Sequence, residues 1–353
     1  MTKRKNDFEN SLNSGLKSED FLPASEPDDP KRTVVRENIG FRKCGFRKSK
    51  ENKLAMISLG VILFVVLFSF VLPVFYPYNY TTQVQGRESL GVFEYSSAEE
   101  NLMNHGHRVF PHILGTDTLG RDLTARLMMG SRISLLIGVI SSFIVLIIGS
   151  IYGAIAGYLG GKIDMIMIQI VDLIYSIPDI LIIILLSVTL RVPLKKMASS
   201  FPGLDWINII GTDLVCIFIV FTMLYWVGMA RVVRAQVLSL KKAEYVTAAR
   251  ALGASKYRII KNHILPNCIG TLIVTTTLQI PSAIFAESFL SFLGLGVTAP
   301  MPSLGSMTSE GLNGIYSRLA PLLAPAILLS LIILACNLLG DGLRDAFDPK
   351  LKD

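Results

Sequence analysis

The chain has 353 residues, of which 51% are hydrophobic and only 17% charged, with a formal net charge of +7. Its mean hydropathy of +0.51 is too high for a soluble domain of this size. The four cysteines form neither a disulfide framework nor a spaced metal site.

Residues 1–40 are polar and contain "SEPDDPK", the composition of a disordered tail. Six apolar blocks then follow, at roughly 54–75, 132–158, 163–190, 213–230, 268–288 and 320–339. Each approaches or exceeds the length of about 20 residues that a helix needs to cross a bilayer. The predicted class is therefore all-α, a polytopic membrane protein with six transmembrane helices, since helices satisfy their own backbone bonds in lipid. The first block follows more than 50 polar residues, so it reads as a retained span and not a cleaved signal peptide. It ends near Pro73, before the aromatic "YPYNY".

The first span and an outer segment together occupy 41–130. In "HILGTDTLGRDLTARLMMGSR", Asp117 or Thr118 is expected to cap a short amphipathic helix. His105, His107 and His112 cluster here, and a solvated loop is preferred over a metal site. In the second span Gly149, Gly153 and Gly157 recur every fourth residue, which allows close helix packing. Internal packing is the first reading and a subunit interface the second.

The third span carries Gln169, Asp172, Ser176 and Asp179. The two aspartates, seven residues apart, share a helix face, with Ser176 between them and Gln169 one turn before. Aspartate in mid-membrane costs about 2.5–3.5 kcal/mol on insertion scales, so that face should avoid lipid. A pore-facing role and a role inside the helix bundle are both open. Gln279 and Glu287 of the fifth span join Gln169, Asp172 and Asp179 as candidates for the translocation pathway or gate. The stretch "ESFLSFLGLGVTAPMPSLGS" is too apolar for free solvent and too rich in Gly and Pro for a span, so it should fold back near the outer mouth.

Between the fourth and fifth spans lies "EYVTAARALGASKYRIIKNHILPN". Tyr245, Ala248, Ala249 and Leu252 fall on one helix face of mostly small residues, Gly253 tightens a turn, and Ser255 can cap a second helix. Pro266 marks entry to the next span. Either an amphipathic linker on anionic lipid or docking into a partner's groove fits this geometry. With six spans, 25 of the 34 Lys and Arg lie on the side of this loop, which assigns that side, and both termini, to the cytoplasm. The net charge needs no nucleic-acid partner.

The loop resembles the cytoplasmic motif of binding-protein-dependent ABC importer permeases, written E-A-A, three residues, G, nine residues, I-x-L-P. Ala248, Ala249, Gly253, Leu265 and Pro266 match, while Thr247 stands at the Glu and His263 at the Ile. "KLAMISLGVIL", "LGTDTLGRDLTARLMMGSRISLLIG", "ESFLSFLGLG" and "GDGLRDAFDPKL" are similar to segments of one subfamily. That subfamily is the C-type permease subunit of dipeptide, oligopeptide and nickel importers. The resemblance spans about residues 40–353. Gln169 stands where relatives carry Arg, and Leu304 where they carry Trp.

The resemblance implies an ABC importer type I permease fold, with a core over 131–345, a coupling loop over 232–266 and a cytoplasmic C-terminus over 346–353. It implies that Tyr245, Ala248, Ala249, Leu252, Gly253, Ala254, Ser255 and Arg258 couple the chain to an ATPase. It further implies a second homologous permease subunit forming a heterodimer, two cytoplasmic ATPase subunits, an extracytoplasmic solute-binding protein, and a place in the cell membrane of a prokaryote. ATP and magnesium would be held by the ATPase subunits and no cofactor by this chain. No G-x-x-x-x-G-K-[ST] occurs, the nearest approach being "GYLGGKI", so the chain is not expected to be an enzyme. Peptides are the expected cargo, with nickel or another small solute as the alternative. An ion-gradient transporter using Asp172 and Asp179 leaves the helix-turn-helix without a purpose, and the membrane aspartates argue against a scaffold without conduction.

Overall fold

The structure is a computed structural model that describes residues 52–201, 203, 204, 207 and 211–347. The tail expected over 1–40 lies outside these residues, as does most of 346–353. Among the described residues the chain is helical, with only an isolated bridge between Thr116 and Asp122. Five helices are long and apolar enough to cross a bilayer, and a bent pair makes a sixth if it counts as one span.

The first span, α1, runs Lys53–Phe75 through a π-helical turn at Leu67–Val71. Asn52 caps it by accepting from the backbone of Leu54 and Ala55. A short α2 follows at Ser97–Asn104, opened by a capping box between Ser96 and Glu99. The second span, α3, covers Leu123–Leu159. Its N-cap is Asp122, which accepts from Ala125 N at 2.7 Å. The expected cap at Asp117 or Thr118 and the separate amphipathic helix are therefore corrected. Asp117 instead closes a turn by accepting from the backbone of Leu119 and Arg121, and the helix that starts six residues later at Leu123 runs unbroken into the span.

Charged groups fix the outer segment. Fully buried Glu99 meets Arg87 at 2.9 Å and His112 at 3.3 Å, and His112 Nδ1 meets Asp122 at 2.7 Å. The Tyr78 ring stacks on His112 at 4.2 Å. Burial would push the Glu99 carboxyl up, but bonds from Ser96, with Arg87 and His112 nearby, hold it below the ordinary range. Burial pushes the Tyr78 hydroxyl up to about 12. A second network joins Asp117, Arg121 and Arg126 to Glu310 near the other end of the sequence. His105 and His107 are exposed and stand apart from these networks. Among the described residues no group of three His, Cys, Asp or Glu is placed to hold a metal.

The third span is not one helix. It divides into α4, Gly161–Tyr175, and α5, Asp179–Ser200, bent by 81°. Pro178 has no N–H to continue the ladder and holds extended backbone at ψ 121°, so α4 stops at Tyr175. The expectation that Asp172 and Asp179 share a helix face is corrected, because their spacing straddles the break.

The fourth span comprises α6, Thr212–Leu224, and α7, Trp226–Leu240. It extends ten residues past the expected boundary. Arg231 and Arg234 thus sit on the helix and not in a loop. The turn of α8, Glu244–Ala251, and α9, Lys256–Ile259, leads through a π turn and a 3-10 turn into α10, Ile269–Phe292. The stretch after α10 folds back as α11, Leu304–Leu312, where Leu304 is fully buried. The last span is α12, Ala320–Phe347. Gly342 of α12 lies against Ala55 of α1, and Gly340 lies against Leu278 in the first half of α10. The N-terminal end of α1 and the C-terminal end of α12 therefore lie at the α8–α9 end of the bundle.

Close packing joins α3 to α7 through three glycines of one face. A Cβ on Gly149 would lie 2.6 Å from Met229 Cβ, one on Gly153 2.4 Å from Ala230 O, and one on Gly157 2.9 Å from Arg234 O. Only glycine lets these backbones meet. Gly153→Leu should therefore cost about 1–3 kcal/mol as overpacking. The expected reading is a lower unfolding temperature of the purified membrane protein. Gly60→Ala, at a position with nothing within 4 Å, should not lower it.

Candidate functional site

The α8–α9 turn is built by a Schellman motif. Ala254 N donates to Ala249 O at 3.1 Å and Gly253 N to Arg250 O at 3.0 Å, with Gly253 at φ +80°. That left-handed conformation is one a side chain resists. Ser255 then caps α9 by accepting from Arg258 N. The two helices and the π turn after them bury Val246, Ala249, Ile259 and Ile264 in one core with Tyr158 of α3 and Met229, Val233 and Val237 of α7.

The crest of this turn is exposed. Leu252 is 88% accessible and Tyr257 72%, with Tyr245 at 40%. Ala248, Ser255 and Arg258 are also exposed, and Ala254 is half-buried. Ala249 does not join that surface. It faces the chain's own core, because the helix turns Val246 and Ala249 inward together. The face of Tyr245, Ala248, Ala249 and Leu252 is thus divided between core and surface. Tyr257 belongs to the crest and was not among the predicted residues.

A groove of about 800 Å³ opens where α4 breaks from α5. Tyr175, Asp179, Tyr225, Gln279, Ser282 and Asn337 are its principal polar lining, set among apolar side chains of α5, α10 and α12. Asp179 and Gln279 are the pathway candidates that the fold brings to this groove. Gln169 is exposed on α4 away from its lining. Glu287 is fully buried and accepts from Ser134, Ser288 and Ser291 at 2.6–3.2 Å, so its pathway role is corrected to a bond between α10 and α3.

Asp172 is paired within the chain. Its Oδ1 accepts from Arg231 Nη2 at 2.5 Å, and the Arg231 guanidinium lies 4.1 Å from the centre of the Tyr175 ring. One turn further, Arg234 binds Asp164 with two bonds at 2.6 and 2.7 Å. Arg231 thereby supplies, from α7, the cation that Gln169 does not. The two arginines three residues apart were the legible signal for this face.

Comparison with known proteins bears on what this arrangement is. The family described as binding-protein-dependent transport system inner membrane component matches residues 149–353, and the N-terminal transmembrane domain of oligopeptide transport permease C matches residues 45–91. The dipeptide transport system permease protein DppC of Bacillus subtilis is 41% identical over 94% of this chain and 93% of its own length. The oligopeptide transport system permease protein OppC of the same organism is 38% identical over 94% and 97%. OppC of Haemophilus influenzae is 38% identical over 86% and 87%. This chain belongs to the binding-protein-dependent permease family. It is an ABC importer permease, a transport subunit by family.

The Asp172–Arg231 pair is more than a third exposed on both sides and contributes at most about 1 kcal/mol to stability. Its removal should therefore spare folding. Arg231→Ala is expected to lower uptake several-fold while ATP hydrolysis by the assembled transporter continues. The exchange Asp172→Arg with Arg231→Asp should recover much of the loss. Normal uptake by both single variants would mean that the pair does not hold the α4 end in place.

Proposed function

We propose that this chain is the permease subunit of an ATP-driven importer of di- or oligopeptides, forming half of the translocation pathway. The observation that carries the reading is the exposed crest at Leu252, Gly253 and Tyr257. It is a rigid apolar knob on a helix pair whose inner face is fused to α3 and α7. The names of the dipeptide and oligopeptide relatives support peptides as the cargo.

In this reading two cytoplasmic ATPase subunits dock the crests of this chain and of a second, homologous permease, each crest filling a groove as a helix-in-groove contact. ATP and magnesium belong to those subunits. An external solute-binding protein delivers the peptide. Closure of the ATPases pushes the crest. Because α7 continues into α8 through only Lys241–Ala243, the push is delivered along α7 to Arg231 and Tyr175, at the break that borders the groove. This is a rigid-body mode of switching. The coupling end faces the cytoplasm of a prokaryote and the Arg87–Glu99 segment faces outward, as the Lys and Arg bias directs.

Leu252→Glu would place an unpaired charge in the docking groove, a cost of several kcal/mol, roughly 3–5 as for a broken buried pair. The ATPase subunits should no longer copurify and ATP-dependent peptide uptake should be lost, while the chain remains in the membrane. Ala249→Glu would not test docking, because it breaks the chain's own core. Wild-type uptake by the Leu252 variant would end the proposal. Orientation has its own test. A cysteine at position 90 should react with an impermeant label from outside, and one at 256 only after permeabilisation; the reverse pattern would invert the topology.

A further inference from the structure

The groove at the α4–α5 break is lined by twenty-two residues, and Asp179 is the single charged one. It opens α5, is exposed, and accepts the backbone N–H of Ile180 on Oδ1 at 2.9 Å. Among the described residues no Lys, Arg or His pairs with it, and its other oxygen has no protein partner. This sets it apart from Asp164, Asp172 and Asp213, each of which meets an arginine at 2.5–2.9 Å. The tyrosine and amide groups around it are Tyr225, Gln279 and Asn337, with Ser176 and Ser282. All are neutral.

From this we infer that Asp179 is a binding site for a primary ammonium group on the solute as it crosses the groove. The inference rests on the peptide reading, in which every free peptide carries such a group at its amino end or on a lysine side chain. An uncompensated carboxylate on a largely apolar wall in a membrane-spanning region is a costly feature that marks a solute or ion path. Low-dielectric walls strengthen its field on a cation inside the groove. The ammonium donates to the free carboxylate oxygen. The neutral amides and hydroxyls can meet peptide N–H and C=O groups, and the apolar walls accept side chains of many shapes. Such a site orients a peptide without selecting its sequence. The plain structural role for Asp179 is to favour the N-terminus of α5 through the helix dipole.

The test reads the field directly, in the assembled transporter. A cysteine replaces Ser282, another groove residue, and its modification rates by a cationic and an anionic methanethiosulfonate are compared, with the unsubstituted chain as background. The ratio of cationic to anionic rates should fall roughly tenfold on adding Asp179→Asn, as expected for one nearby charge in a partly shielded site. An unchanged ratio would overturn the inference whatever the cargo is. In parallel, uptake of a lysine-containing tripeptide is compared with its glutamate counterpart at saturating binding protein. The wild type should favour the lysine peptide, and Asp179→Asn should bring the two rates together. An unchanged preference counts against the ammonium site. Failure of the wild type to import any peptide overturns the peptide reading instead, and with it the identity of the ammonium donor, while the reagent ratio still reports the charge.

Discussion

Between α3 and α7 the two backbones lie so near that a methyl group on Gly149, Gly153 or Gly157 would overlap Met229, Ala230 or Arg234. Apolar burial drives helices together weakly in lipid, since acyl chains are as apolar as leucine, so close backbone fit carries much of the association. Here it makes α3 and α7 one body. The same body holds Val246, Ala249, Ile259 and Ile264 at one end and projects Arg231 towards Tyr175 further along. The exposed crest and the break beside the groove are thereby two ends of a single stiff element. Without that contact, a force on the crest would be absorbed by sliding helices.

Charge is handled in two ways. In the outer segment every buried ion has a partner: Glu99 meets Arg87 and His112, and Asp117 meets Arg121 and Arg126. Burying a charge is tolerable only on those terms. These pairs replace the hydrophobic core that a segment lacking long helices could not assemble. They also reach across the sequence to Glu310, so the outer segment and the re-entrant α11 stand or fall together. At the groove the rule is relaxed for Asp179, which is what a surface awaiting a mobile partner requires.

Much of the fold was legible because hydropathy and helix length speak directly about a bilayer. Six apolar blocks, the glycine triplet and the helix-turn-helix around Gly253 all appear in the structure at or near the positions read from sequence. The misses share a cause. A helix-length pattern does not reveal a break, so the Pro178 interruption passed unnoticed and an angular argument was built on a helix that is not there. Glu287 looked like a pathway residue because its three serine partners, one of them on α3, are invisible to a reading along the chain. Ala249 was assigned to the surface because small residues on one face suit either a partner or the chain's own core, and periodicity does not choose. Arg231 fell just past the expected end of the fourth span, and its partner lies 59 residues earlier.

The broken third span has a consequence for how such a chain must be made. Its α4–α5 surface presents a carboxylate, a bend of 81° and a row of exposed apolar side chains on one side of the molecule. Acyl chains solvate the last of these well and the first badly. Left bare, this surface would set Asp179 against lipid or a local water defect, so it calls for cover by protein or water. If the proposed second permease supplies that cover, assembly completes what the folding of this chain begins.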